Sequence, residues 1–62
     1  MTKFFTQYGN DKVTVEQEGD ALRVVRYAND DRLYTAAIYH VTQPVDAIAF
    51  ACTLMAGIRG AF

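Results

Sequence analysis

One histidine, His40, and one cysteine, Cys52, carry the strongest intrinsic chemistry in this 62-residue chain. A zinc site takes three or four such ligands, so two residues in one chain cannot close one. The expectation is no metal and no cofactor. As a nucleophile and base, the pair would need an exposed thiol, an orienting group and an oxyanion site. Cys52 instead lies in the most apolar stretch of the sequence, Ala47 to Ile58, and reads there as a small buried hydrophobe. His40 reads as a strand-end residue beside a helix. The seven acidic residues offer no acid–base pair that spacing supports, and the chain has neither a glycine-rich phosphate loop nor a Gly-x-Ser-x-Gly elbow. The expectation is a protein that is not an enzyme.

Binding chemistry is the better prospect. Arg23 and Arg26 lie near Tyr27, Tyr34 and Tyr39, which in composition resemble the arginines and aromatics of a base-stacking platform. In a strand, however, Arg23, Val25 and Tyr27 share one face while Arg26 joins Leu22 and Val24 on the other. A net charge of -1 also gives little long-range attraction to phosphate. Nucleic acid is therefore a disfavoured partner. Two candidate surfaces for a protein partner remain. One is a sheet face with Val25, Tyr27 and either Tyr34 or Tyr39. The other is an acidic rim of turn residues, Asn10, Asp11, Asn29, Asp30 and Asp31, which would face a basic partner or simply serve as turn chemistry. Its spacing does not match a calcium loop.

These residues are positioned by an uneven chain. Eleven of the thirteen charges precede Pro44, and thirteen of the eighteen residues after it are apolar. Before Pro44, short β-prone stretches alternate with turn residues. Lys3 to Tyr8 reads as a first strand, closed by Gly9-Asn10-Asp11. Lys12 to Glu16 alternates with period two, which puts Val13 and Val15 on one face and Lys12, Thr14 and Glu16 on the other. Glu18-Gly19-Asp20 turns into Ala21 to Ala28, and Asn29-Asp30-Asp31 turns into Arg32 to Val41, rich in Tyr, Ile, Val and Thr as a strand packed on both sides would be. In an up-down meander the first and third turns share one end of the sheet, which assembles the rim.

The last element is a helix from about Pro44 to about Arg59. Thr42 or Gln43 supplies the N-cap, Pro44 suits the first turn, Asp46 and Arg59 complement the helix dipole, and Gly57 or Gly60 ends it. The predicted fold is α+β: a three- or four-stranded antiparallel meander over about 3–41 and one C-terminal helix over about 44–59, in a single domain of residues 1–62. Ala47, Phe50, Ala51, Leu54 and Ile58 form the face predicted to meet the sheet; Ile48, Cys52, Met55 and Arg59 form another. Arg59 would return toward the acidic rim and form an ion pair there.

Most of the helix circumference is apolar or small, more than one small sheet can cover. Twelve uncharged residues fall short of the about twenty that span a bilayer. A membrane partner is disfavoured. Sixty-two residues without a disulfide or metal also make a marginal monomer. The expectation is a homodimer through the small strip Ala49, Cys52, Thr53, Ala56 and Gly57. With no secretory signal in the opening residues and one unpaired cysteine, the expected setting is cytoplasmic. The functional expectation is a small interaction module, an inhibitor or adaptor of another protein of the kind common in phages and mobile elements. The alternatives are a nucleic-acid-associated dimer and a peripheral membrane protein using the apolar helix.

Overall fold

The computed structural model describes residues 2–60. Its elements are β1 (Thr2–Tyr8), β2 (Asp11–Glu18), β3 (Ala21–Ala28), β4 (Asp31–His40) and α1 (Pro44–Arg59). The strands form one antiparallel sheet in the order β1-β2-β3-β4, a meander, with α1 packed on one face. This is the predicted α+β architecture, in its four-stranded form.

Each hairpin follows from its two turn residues. Gly9 and Gly19 open the first two turns with φ of 61° each, the left-handed conformation that glycine adopts without steric cost. Tyr8 then pairs with Asp11 and Glu18 with Ala21, as two-residue loops with a leading glycine dictate. The third turn uses Asn29 and Asp30, both at positive φ (54° and 66°), the pattern of a type I′ turn. A glutamine clasps each glycine turn from the strand before it. Gln7 Nε2 donates to the Gly9 carbonyl at 3.2 Å, and Gln17 Nε2 to the Gly19 carbonyl at 3.1 Å. The device recurs ten residues later at the opposite end of the sheet.

Tight turns fix the register, and register fixes which residues share a face. Val13 and Val15 of β2 lie opposite Arg26 and Val24 of β3, so these four point to the same side, the one α1 covers. Val13, Val15, Leu22, Val24, Ala47, Ala51 and Met55 make the core. Three helix residues at four-residue spacing meet the sheet, and the two alanines let the helix lie close to it. Larger Phe50, Leu54, Ile48 and Ile58 flank that seam half-buried. The helix is therefore rotated from the expected face: Met55, assigned by its spacing to a second face, is 2% exposed and central, while Phe50 and Leu54 are at the margin. Ala47 and Ala51 let the helix approach the sheet and Met55 fills the seam beside them, whereas Phe50 and Leu54 reach the core from the side. Phe50 does so by packing on Tyr39, ring centroids 6.4 Å apart and tilted by 54°.

The helix begins as expected. Gln43 is the N-cap, although it makes no side-chain bond to the first turn, and Pro44 follows at the first helical position. The Gln43 Oε1 instead accepts the His40 backbone N–H at 3.1 Å. The Thr42 backbone N–H donates to His40 Nδ1 at 3.2 Å, and the Thr42 hydroxyl lies 2.8 Å from the same nitrogen. His40 is thus a clasp in the strand-to-helix connection. Gly60 closes the helix in the left-handed conformation (φ 70°, ψ 30°), its N–H turned back to the Gly57 carbonyl at 3.1 Å.

β4 is not packed on both sides as its composition suggested. It is an edge strand, exposed from Asp31 to Tyr34 and nowhere fully buried. Ala36 and Leu33 are extra residues against β3, because the register jumps between Val24 and Val25 and again between Arg26 and Tyr27. β1 carries a comparable irregularity at Lys3. Bulges of this kind at both edges hinder edge-to-edge pairing with other chains.

Candidate functional site

The sheet face turned away from α1 has no covering element among the described residues. Following the register across it, one row runs Gln7, Lys12, Tyr27, Arg32; the next Phe5, Thr14, Val25, Thr35; the third Thr2, Glu16, Arg23, Ile38. The middle of this face is dry although nothing is stacked on it. Val25 is fully buried and Thr14 is 4% exposed, enclosed by the larger side chains around them.

A fixed polar network occupies that centre. Glu16 Oε2 accepts the Tyr27 hydroxyl at 2.5 Å and the Thr14 hydroxyl at 2.7 Å. Partial burial works to raise the Glu16 carboxyl, but the two donated hydrogen bonds, with Arg32 nearby, outweigh it and hold the group below its ordinary range. The same bond to Glu16, followed by burial, pushes the Tyr27 phenol above its usual value. The Lys12 ammonium lies over the Tyr27 ring, 5.0 Å from its centroid. Arg23 Nε lies 3.2 Å from Glu18 Oε2, and because this buried nitrogen has no aligned acceptor the contact is one of charge rather than a directed hydrogen bond. Arg32 donates to the Thr35 hydroxyl at 3.2 Å. Phe5 and Ile38 border the network on the two edge strands, each 59% exposed. The open face thus carries a hydrogen-bonded polar centre with an exposed apolar side chain on either side.

The candidate residues divide between the faces. Val25 and Tyr27 lie on the open face, but Val25 is buried within it and offers a partner no surface. Tyr34 and Tyr39 are on the other side: Tyr39 pairs with Leu22 and packs on Phe50, and the half-exposed Tyr34 pairs with Arg26. The β4 bulges change the alternation, so the tyrosines do not assemble with Tyr27. Tyr34 instead holds the Arg26 guanidinium above its usual range, burial opposing and Asp11 assisting.

The rim residues do gather at one end of the sheet, where the Asn29 N–H donates to the Asn10 carbonyl at 2.9 Å. Asp11 is engaged there by Arg26 (3.7 Å), while Asp30 and Asp31 are exposed. Arg59 reaches this end, but its guanidinium lies over the Tyr8 ring at 5.6 Å rather than in the expected ion pair. No group of three or more potential metal-ligating side chains is found among the described residues.

On α1, Ala49, Cys52, Thr53 and Gly57 are exposed, Ala56 is half-buried, and Val45 beside them is 77% exposed. Cys52 is not the buried hydrophobe its neighbours implied: it lies on the solvent side of the helix. The rotation that seats Met55 carries Cys52 outward.

Sequence reasoning missed Phe5, Ile38 and the Glu16 acceptor. A signal for Glu16 was present, since pairing Lys12–Glu16 with Arg23–Tyr27 through a two-residue turn puts Lys12, Thr14 and Glu16 on the face of Tyr27. No comparable signal locates Ile38, whose face depends on two bulges. Comparison with protein-family models, curated proteins and solved structures finds no match for this chain.

Proposed function

We propose that this chain is a small non-catalytic protein-interaction module, acting in the cytoplasm as a homodimer and serving as an inhibitor or adaptor of another protein. Its partner surface is the uncovered sheet face, with Phe5 and Ile38 as apolar anchors and the Tyr27–Glu16 centre as the polar element that sets orientation. The observation that carries this reading is the pair of 59% exposed apolar side chains on either side of an ordered hydrogen-bonded centre. Recognition surfaces favour groups whose rotamers are fixed before the partner arrives, because less side-chain entropy is lost on binding. The exposed strip Ala49, Cys52, Thr53 and Gly57, with Val45, supports self-association on the opposite side of the molecule.

A second reading has an observation of its own. Lys12, Arg23 and Arg32 share the open face with Tyr27 and Phe5, which suits a single-stranded nucleic acid better than the arginine placement read from sequence did. Against it, Arg23 is paired with Glu18, and the net charge is -1. In the membrane reading α1 would lie on a surface, since no described helix is long and apolar enough to cross a membrane.

Capture from a lysate of the source cell by tagged wild type, Phe5→Ser/Ile38→Ser and Thr53→Arg tests the assignment. The proposal expects a stoichiometric protein with the wild type and its loss with the sheet-face variant. Capture of nuclease-sensitive material, or equal capture by the sheet-face variant, would reject it. Sedimentation of the wild type at micromolar concentration tests the dimer, and a 6.9 kDa species alone would remove that part.

A further inference from the structure

We propose that the groove between the start of β1 and the first turns of α1 binds a small apolar ligand carrying one carboxylate, of the medium-chain fatty-acid class. The groove is distinct from the open sheet face, a solvent-open cleft of about 380 Å³ lined by Lys3, Val15, Gln17, Leu22, Val41, Pro44 and Ile48, with Val15 and Leu22 buried at its base. This volume falls at the small end of ligand sites, and the lining has the usual form of an apolar floor with few polar groups.

The charge at its mouth is the informative feature. Phe4 packs toward the helix, so strict alternation would send Lys3 to the opposite face. β1, however, has an extra residue here: Thr2 pairs with Glu16 and Phe4 with Val15, leaving Lys3 unmatched. A bulge re-aims a side chain, and Lys3 accordingly lines the groove together with residues of α1. Lys3 makes no ion pair among the described residues; the two acidic partners that are engaged, Glu18 and Asp11, belong to Arg23 and Arg26. Pro44 puts the start of α1 at the same groove, and the first turn has no side-chain cap. Its amides add positive potential. Asp46, the acid of that turn, is exposed and does not line the groove. An apolar floor under the one cationic side chain that lines the groove among the described residues, with the start of α1 beside it, complements an alkyl carboxylate and opposes an alkyl ammonium.

The test is an NMR titration of the full chain with decanoate, decanol and decyltrimethylammonium, each below its micellar concentration. Saturable shifts are expected at Val15, Leu22, Val41 and Ile48 with decanoate. Lys3→Gln should weaken decanoate about threefold to fivefold, the range of an exposed ion pair, and leave decanol unchanged. Ile48→Trp, which fills the groove, should abolish both; if it does not fold, Lys3→Gln carries the test. Absence of saturable shifts at these residues, equal binding of the ammonium, or unchanged decanoate affinity in Lys3→Gln would overturn the proposal. None of these outcomes bears on the sheet face.

Discussion

Replacing Tyr27 with phenylalanine removes one hydroxyl from the open face and keeps the ring beneath Lys12, so its effect isolates the bond to Glu16. That bond is 2.5 Å long and its acceptor is a carboxylate. Hydrogen bonds to charged groups are worth about 1.5–3 kcal/mol, and a half-exposed site takes the lower end because water competes. Tyr27→Phe should therefore cost about 1.5 kcal/mol, a fall in Tm of roughly 6–12 °C for a domain of this size. A double-mutant cycle with Glu16→Gln, followed by urea denaturation, should give a coupling of about 1 kcal/mol at pH 7. The pH dependence has two sides. Glu16 lies below its ordinary range in the fold, so its stabilisation is present above the unfolded carboxyl value near 4.3 and is lost as pH falls through the folded value. Tyr27 is raised, so its share is present below the unfolded phenol value near 10 and is lost as pH rises through the folded one. The coupling should be flat between these limits and decline at both ends. A coupling indistinguishable from zero at neutral pH, or one that grows on acidification, would refute the claim that the centre of this face is pre-ordered.

Other expected outcomes follow from the packing. Met55→Ala should cost about 2–5 kcal/mol in chemical denaturation because the side chain sits at the centre of the seam, whereas Cys52→Ala should stay within about 0.5 kcal/mol. A thiol reagent should label Cys52 rapidly in dilute native protein and more slowly as concentration rises, and Thr53→Arg should remove that concentration dependence. Asp30→Gly should raise stability by about 0.5–1 kcal/mol in thermal melts, since it relieves a side chain held at φ 66° and leaves the asparagine–glycine pair that type I′ turns prefer.

The backbone plan was legible because its signals are local. Glycine or asparagine at positive φ, two-residue loops and proline at a helix start each specify geometry within four residues, and the β3 and α1 bounds emerged unchanged from composition. Side-chain placement was less legible wherever it depends on tertiary geometry. Helical periodicity lists residues that share a face but not which of them seats deepest, so Ala47 and Ala51 were placed on the sheet side as found, while the central Met55 and the outward Cys52 were misread. The tyrosines failed for another reason. Tyr34 and Tyr39 lie on a strand with two unmatched residues, and each changes the alternation without leaving a mark in the hydrophobic pattern. The excess of apolar helix surface, by contrast, was evident in the sequence and persists in the fold as exposed Val45, Ala49 and Cys52.

The most direct test of an interaction module with its partner surface on the open sheet is photo-crosslinking in the source cell, from a photoreactive residue placed singly at Ile38 and at Val45. The account predicts a discrete adduct with a different protein from position 38, and from position 45 an adduct of twice the 6.9 kDa chain mass. No protein adduct from position 38, or the same adduct from both positions, would contradict it.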